Sequence, residues 1–237
     1  MKKILINYAH NLYFNSQKIC SQTALDIGGF DEVIEYGQND IAPNYIEKNK
    51  HIFNQRRGGG YWLWKPYIIL KTLKKIGDDD VLVYCDSGVH FIDSFLKYID
   101  MCKDDEKGLV LFELISDFNI NKNWTKRDCF HLMNCDTEEY WNRKQILSGY
   151  QVCKKNDFTI SFYKEILKHI QDERTVTDIP NKCGLPNYDG FVEHRHDQSI
   201  LSLMAIKHKI TRTPDPAKDR GCEQIDVKPC VIVRGHI

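Results

Sequence analysis

One segment of the chain places a carboxylate and two small residues directly after a hydrophobic run. Asp86-Ser87-Gly88 follows Val81-Leu82-Val83-Tyr84-Cys85. A buried strand fixes the carboxylate at its end, and the small residues after it leave room for phosphate oxygens. Carboxylate oxygens are ligands that Mg²⁺ and Mn²⁺ accept. The segment predicts a metal-bound diphosphate at Asp86, with an ordinary turn after a strand as the alternative.

A second segment concentrates positive charge, glycine and aromatic rings within eleven residues, from Arg56 to Pro66. Arg57 and Lys65 provide charge for phosphates, and glycine lets the backbone approach a ligand closely. Trp64 offers a face for a sugar or a base, although core packing is the commoner role of tryptophan. The glycines match neither a Walker loop nor a dinucleotide fingerprint.

A third segment, Glu193-His194-Arg195-His196-Asp197-Gln198, opens a strongly apolar helical stretch. An acid at a helix N-terminus is favourable in itself, which gives Asp197 a purely structural explanation. The same carboxylate is also suited to orient an acceptor hydroxyl or to contact a bound sugar. The two histidines are two residues apart, so they cannot be ligands on one helix face.

Two weaker signals complete the candidates. Ser148 and Gly149 open an extended segment, where backbone can approach a substrate or form a strand bulge. His236 lies next to the last residue, where it is either exposed or a further metal ligand.

The elements that must position these residues follow from the hydrophobic periodicity. Strands are predicted over residues 3–8, 32–36, 80–85, 108–114, 146–154 and 230–234. Helices are predicted over 16–27, 43–50, 66–76, 92–102, 157–170 and 198–208, with loops over 56–60 and 172–195 and a turn at 214–216. Alternating strands and helices predict the α/β class, with three α/β/α layers, a mostly parallel central sheet and a single domain. Ligands of such sheets bind beyond the carboxyl ends of the strands.

Composition narrows the functional classes. The 237 residues carry 33 basic and 33 acidic side chains, so the net charge is zero. This balance argues against a nucleic-acid-binding protein but permits a local anion site. Nine cysteines without a C-x-x-C pair favour reduced thiols and a cytoplasmic location. No stretch is apolar enough to predict a transmembrane segment.

The three segments, together with Gly28-Gly29-Phe30-Asp31, give the chain its resemblance to a known family. The chain resembles the small nucleotide-sugar glycosyltransferases of the A-type (GT-A) fold from bacteria and large DNA viruses. The fairly specific parts are Trp62-Leu63-Trp64-Lys65-Pro66 and His194-Arg195-His196-Asp197-Gln198. The resemblance implies a Rossmann-like fold, with a nucleotide-sugar-binding half over about residues 1–115 and an acceptor half over 116–237.

The resemblance also implies roles for individual residues. The donor is expected to be a nucleoside-diphosphate sugar, with a UDP-sugar expected first, and the acceptor a glycan or another hydroxyl compound. The implied donor-binding residues are Asn7, Tyr8, Ala9, Arg57, Lys65, Asp86, Ser87 and Gly88. The implied substrate-binding residues are Trp64, Ser148, Gly149 and His196, and the implied catalytic pair is Asp197 and Gln198.

A metal is expected at the position of the family's Asp-x-Asp motif, which maps to Asp86. The third position of that motif is Gly88 in this chain, so the motif is incomplete. Two arrangements follow from the resemblance: Mn²⁺ or Mg²⁺ held by Asp86 with His236, or Arg57 and Lys65 in place of part of the metal's charge.

The expected activity is therefore that of a hexosyltransferase-like enzyme of polysaccharide biosynthesis. Two other classes stay open. A nucleotidyltransferase or metal-dependent phosphohydrolase would need two or more metal-clamping acids, which the lone Asp86 disfavours. A non-catalytic carbohydrate-binding protein would use the aromatic residues near Trp64.

Overall fold

The molecule is described by a computed structural model, which covers residues 1–10 and 13–215. The predicted strand over 230–234 and the candidate ligand His236 lie outside these residues. Among the described residues, no helix is both long and apolar enough to cross a membrane. All seven cysteines within the described ranges are free thiols.

A six-stranded sheet forms the centre, with the spatial order β2-β1-β3-β5-β4-β6. The strands are β1 (Lys3–Tyr8), β2 (Glu32–Tyr36), β3 (Val81–Cys85), β4 (Leu109–Glu113), β5 (Ile146–Lys154) and β6 (Thr211–Pro214). Only β5 runs against the others: it is antiparallel to β3 and β4, whereas the pairs β1–β2, β1–β3 and β4–β6 are parallel. The predicted α/β class and mostly parallel sheet are confirmed.

Helices cover both faces of this sheet. The α-helices and helical turns are α1 (Phe14–Thr23), α2 (Pro43–Lys48), α3 (Lys50–Phe53), α4 (Gly58–Tyr61), α5 (Trp64–Leu73), α6 (Leu96–Asp104), α7 (Asn121–Trp124), α8 (Arg127–Leu132), α9 (Glu138–Trp141), α10 (Asp157–Ile170), α11 (Glu173–Val176) and α12 (His196–Lys207). A π-helical turn (Ala24–Gly28) continues α1, and a 3₁₀ turn spans Gln38–Asp40.

The strand residues alternate between two hydrophobic cores. Leu5 and Val83 pack on the side of α1 and α6, whereas Ile4, Ile6 and Leu82 pack on the side of α5, α10 and α12. Because both faces are buried, the strands read as continuous apolar runs rather than as alternating patterns. Ten of the twelve residues of α12 are buried, as predicted for this helix.

Several predicted bounds differ from the observed ones by a few residues, and three of the differences have a local explanation. The helix predicted from residue 92 begins at Leu96, where the Ser94 hydroxyl, just before the N-cap residue Phe95, accepts a hydrogen bond from the Leu96 amide at 3.3 Å. The loop predicted over 172–195 contains α11, whose first turn is capped by the Asp172 side chain. The turn predicted at Pro214 is instead the end of edge strand β6, where proline's missing amide is tolerated.

The fourth correction concerns residues 56–60, which were predicted to be a loop. Gly58, Gly59, Gly60, Tyr61 and Trp62 all have positive φ angles, between 51° and 93°. They form a left-handed turn immediately before α5. This backbone region is open mainly to glycine, which explains the glycine triplet without a phosphate loop.

The turn makes a sharp prediction about stability. At Gly60, φ is 93° and an added Cβ would lie 2.8 Å from the Phe53 Cα. We expect Gly60→Ala to lower the free energy of unfolding by about 3 kcal/mol, because backbone strain and a steric clash add. Gly184→Ala is the matched control: its φ is 77° but nothing lies within 4 Å of the added Cβ. Urea unfolding measures both, and equal losses would show that the close packing at Gly60 contributes nothing.

A buried lysine between two carboxylates as the candidate site

The candidate site lies at the edge of the sheet where parallel strands β1 and β3 both end. Because β5 is antiparallel, its first residues lie at the same edge. The backbone amide of Asp86 donates to the Gly149 carbonyl at 2.8 Å, which joins the end of β3 to the start of β5. Strand pairing therefore brings two predicted segments together that are about sixty residues apart in sequence.

Lys65 occupies the centre of this edge. Its Nζ lies 2.7 Å from Asp197 Oδ2 and 3.4 Å from Asp86 Oδ1. It also donates to the backbone carbonyl and to the hydroxyl of Ser148, each at 3.3 Å. The side chain of Lys65 is 3% exposed and that of Asp197 is 9% exposed, whereas that of Asp86 is 40% exposed. One ammonium thus joins a buried carboxylate to one that faces solvent.

The start of α5 delivers Lys65 to this position. Trp64 stacks on Tyr8 at the end of β1, with ring centroids 3.8 Å apart and planes 16° from parallel. The Trp64 indole N–H also donates to the Gly58 carbonyl at 3.0 Å, within the left-handed turn. Packing against β1 on one side and the turn on the other sets the direction in which the next side chain, Lys65, leaves the helix.

Tyr84, on β3, contacts both Asp86 and Lys65. Its hydroxyl donates to Asp86 Oδ1 at 2.5 Å, and its ring lies 5.1 Å from Lys65 Nζ. Burial, with the nearby charge of Asp86, raises the pKa of Tyr84 well above its ordinary value. Tyr84 therefore keeps its proton and remains a hydrogen-bond donor to the carboxylate.

Lys65 keeps its proton despite its burial. Burial alone would lower the pKa of this lysine, but the charges of Asp197 and Asp86 outweigh that effect and raise the pKa above the ordinary value of 10.5. In their ionised forms, two carboxylates and one ammonium leave the cluster with one negative charge. A buried cation that is paired on two sides is costly to leave without partners, so the three side chains act as one unit.

Gln198 belongs to the frame of the site. Its Oε1 accepts from the Ser148 amide at 3.4 Å, and its Nε2 donates to Gln145 Oε1 at 2.8 Å. Gln198 thus holds Ser148, whose carbonyl and hydroxyl face Lys65. The structure brings together six predicted site residues: Lys65, Asp86, Ser148, Gly149, Asp197 and Gln198.

The remaining predicted residues at the strand ends have mixed placements. The Asn7 side chain is fully buried and is hydrogen-bonded to Ser21 and Gln17, so its amide faces α1 rather than the site. Tyr8 and Ala9 are buried at the end of β1. Ser87 is also buried, beside Asp86, and a Cβ built on Gly88 meets nothing within 4 Å.

Arg57 and His196 lie in a second cluster, around Asp178. Arg57 contacts Asp178 at 3.4 Å and Glu193 at 3.1 Å, and the Tyr61 hydroxyl donates to Asp178 at 3.1 Å. Arg57 is thus paired with these two acids, and no contact with Asp86 is among its described ion pairs.

His196 also lies in the cluster around Asp178. Its ring is 2% exposed and packs against Tyr61 and Trp62. Its Nδ1 lies 2.8 Å from the Val176 carbonyl, and burial lowers its pKa, so the ring is a neutral donor to that carbonyl. His196 therefore packs inside this cluster rather than offering its ring to solvent.

A divalent metal was expected at Asp86. Within the described ranges, no group of three or more His, Cys, Asp or Glu side chains could hold a metal ion. Asp86 itself fits the role of a single ligand, because its carboxylate is partly exposed and belongs to a cluster with a net negative charge. Mg²⁺ is commonly held by one or two carboxylates, with water and substrate phosphates completing its shell.

Sequence reasoning missed two residues of the site. Tyr84 stands two positions before Asp86 in an extended segment, and this spacing places both side chains on one face. That signal was available. Gln145 precedes β5 and carries no local signal, because its importance comes from partners that are distant in sequence.

No protein-family model and no curated protein sequence matches the chain. Solved structures with a similar course of the chain include a glycosyltransferase involved in glycosylation of the major capsid of PBCV-1, with 11% identity, a TM-score of 0.43 and coverage of 82% of each chain. Mouse xyloside xylosyltransferase 1 shows 8% identity and a TM-score of 0.47, over 90% of this chain and 84% of that one. Galactosyltransferase LgtC shows 16% identity and a TM-score of 0.41, over 85% and 70%. Similarities this distant do not support a conclusion about activity, so that conclusion must come from the geometry of the site.

The paired lysine gives a prediction with a defined pH dependence. We expect Lys65→Met to lower the free energy of unfolding by about 3 kcal/mol at pH 7, because two carboxylates lose their common cation. The folded-state pKa of Lys65 is raised, so this stabilisation is complete below pH 10.5 and is lost as the pH rises through the folded-state pKa.

Urea unfolding from pH 7 to pH 11 measures the difference between wild type and Lys65→Met. Lys50→Met is the control, because Lys50 forms an exposed ion pair with Glu47, and its loss should change stability by less than about 0.5 kcal/mol. If the difference in the free energy of unfolding between wild type and Lys65→Met grows above pH 10.5, the pairing of Lys65 with the two carboxylates is contradicted.

Proposed function

We propose that the chain is a glycosyltransferase that transfers a sugar from a nucleoside-diphosphate sugar, with a UDP-sugar as donor, to a hydroxyl of a glycan. The observation that carries this proposal is Lys65, buried between Asp86 and Asp197 at the carboxyl ends of β1 and β3. This edge is where open α/β sheets bind their ligands. It offers an outward-facing carboxylate, a fixed cation and a nearly buried carboxylate in one place.

Two of these groups, Lys65 and Asp197, match the charges that develop during sugar transfer. Breaking the sugar–phosphate bond develops negative charge on the leaving diphosphate, and the sugar passes through an oxocarbenium-like state. In this proposal Lys65 contributes positive charge on the leaving-group side. Asp197, held 2.7 Å from that ammonium, contributes negative charge for the sugar side.

Charge balance explains why a divalent cation would assist. The cluster of Asp86, Asp197 and Lys65 has one net negative charge, which by itself repels a diphosphate. When bound, Mn²⁺ or Mg²⁺ supplies the positive charge that stabilises the leaving diphosphate. Asp86 would be its ligand among the described residues, with donor phosphates and water as further ligands, and His236 is a further candidate. This chain's own part is to orient Asp86 through Tyr84 and Lys65.

The wider proposal follows the same reasoning. The donor site occupies the half up to about residue 115 and the acceptor site the half from 116, within one domain. The enzyme would be a cytoplasmic hexosyltransferase of polysaccharide biosynthesis. Asp197, at the start of α12, forms its ion pair with Lys65 of the first half, and the neighbouring Gln198 bonds to Ser148 within the second half.

The decisive experiment is a donor panel. We expect the wild-type chain to release the nucleoside diphosphate from at least one of UDP-glucose, UDP-galactose, UDP-N-acetylglucosamine and GDP-mannose, faster with Mn²⁺ than with EDTA. Coupled detection of the released diphosphate measures this rate. Failure with every donor would sink the proposal, and pyrophosphate release from UTP would indicate a nucleotidyltransferase instead.

Asp86→Asn tests the role of the outward-facing carboxylate. The amide keeps the size of the side chain but removes its charge, so we expect turnover of the active donor to fall about 100-fold or more. Glu113→Gln is a control, because Glu113 ends β4 at the same edge of the sheet but forms an ion pair with Arg212. Equal activity of Asp86→Asn and wild type would remove Asp86 from the mechanism.

The incomplete Asp-x-Asp motif can be restored. A Cβ at Gly88 meets nothing within 4 Å, and the φ angle of Gly88 is not in the positive region, so an aspartate fits there without strain. We expect Gly88→Asp to bind Mn²⁺ about tenfold more tightly, because a second carboxylate joins Asp86. Electron paramagnetic resonance of free Mn²⁺ measures this without any donor. Unchanged affinity would show that Asp86 does not face the metal position.

A further inference from the structure

We propose that Gln145 is a positioning residue of this site, which fixes the orientation of Gln198 and, through Ser148, the surroundings of Lys65. The inference rests on the proposed function, and no sequence signal points to it. Gln145 is fully buried directly before β5. Both the nitrogen and the oxygen of its side-chain amide are hydrogen-bonded, and these partners determine the orientation of the amide.

The orientation of the Gln145 amide follows from its fixed partners. Its Nε2 lies 3.4 Å from the Trp124 carbonyl and 3.3 Å from Ser199 Oγ. A carbonyl can only accept, and the Ser199 hydroxyl already donates to that same Trp124 carbonyl at 2.7 Å. Neither the carbonyl nor this hydroxyl can donate to Gln145, so the nitrogen of the Gln145 amide must lie on this side and its oxygen on the other.

That orientation is passed on to Gln198. Gln145 Oε1 can only accept, so the Gln198 nitrogen must face it, at 2.8 Å. The Gln198 oxygen then faces the opposite way and accepts from the Ser148 amide at 3.4 Å. An inverted Gln198 would place two oxygens against each other at one end and two N–H groups at the other. The arrangement has one consistent solution.

The last step reaches the charged cluster. Ser148, whose amide is held by Gln198, presents both its carbonyl and its hydroxyl to Lys65 Nζ at 3.3 Å. These oxygens are acceptors for the ammonium in addition to Asp86 and Asp197. A shift of Ser148 would therefore change the position of Lys65 between the two carboxylates. Displacements of about 1 Å in such a site can lower a rate by about 100-fold.

The test compares Gln145→Met with a matched control. Methionine keeps the size of the side chain and removes both ends of the amide. With the donor that the wild type turns over, we expect kcat to fall about tenfold while the donor KM stays within about twofold, because Gln145 contacts no donor. Asn49→Leu removes another buried amide, bonded to Tyr45 and Gln171, and should lower stability without changing kcat.

A double-mutant cycle separates positioning from general destabilisation. If Gln145 acts through Gln198, then Gln145→Met added to Gln198→Met should cause little further loss of kcat. Additive losses would overturn the inference, and so would an unchanged kcat in Gln145→Met. If Gln145→Met does not fold, Gln145→Asn, which keeps the amide but shortens its reach, takes its place with the same expected split between kcat and KM.

A readout without turnover separates this inference from the proposed function. Nuclear magnetic resonance of the Ser148 amide proton reports its hydrogen bond to Gln198. We expect this resonance to shift in Gln145→Met and to stay unchanged in Asn49→Leu. A wild type that is inactive with every donor contradicts the proposed function, and the expected effect of Gln145 on kcat with it. An active wild type whose Ser148 resonance is insensitive to Gln145→Met contradicts the positioning role alone.

Discussion

The ion pair between Lys65 and Asp197 is the interaction on which the rest of the site depends. A lysine that is almost fully buried is tolerated only where opposite charge and hydrogen-bond acceptors surround it. Asp197, Asp86 and Ser148 provide these partners from three different elements: the start of α12, the end of β3 and the start of β5. Because the ammonium must contact all of them, the relative positions of these elements are constrained by electrostatics as well as by hydrophobic packing.

Two layers of support surround this pair. On one side, aromatic packing holds the lysine: Trp64 stacks on Tyr8, and the left-handed turn before it receives the Trp64 N–H. On the other side, neutral amides and hydroxyls hold the lysine's acceptors, from Gln145 through Gln198 to Ser148. The aromatic packing sets the position of the Lys65 ammonium, and the amides and hydroxyls set the position of its acceptors. Lys65 and Asp197 are buried between these layers, which strengthens the electrostatic interaction between them.

Much of this arrangement could be predicted from sequence because its elements have strong local signals. β1, β2 and β5 were predicted with their observed bounds, as was α10, because each is a clear apolar or amphipathic pattern. Lys65, Asp86 and Asp197 were selected because each stands in a segment that combines charge with glycine, small residues or other titratable groups beside an apolar element. The left-handed turn and the sixth strand were missed, since glycine triplets and short edge strands have no distinctive periodicity. Which candidates meet is a separate question, since residues 65, 86, 148 and 197 are joined only by folding.

The amino-acid sequence by itself determined the fold class, the strand ends at which polar residues collect, and the shortlist of site residues. The fold class and the strand ends follow from hydrophobic periodicity, and the shortlist follows from the three motifs and from what the family resemblance implies. Only the tertiary structure decided how the shortlist divides. It joined Lys65 to Asp86 and Asp197, and it placed Arg57 with Asp178 and Glu193 and His196 inside an aromatic cluster. It also added Tyr84 and Gln145. The physical reason is that ion pairing and hydrogen bonding act over a few ångströms in space, whatever the separation along the chain.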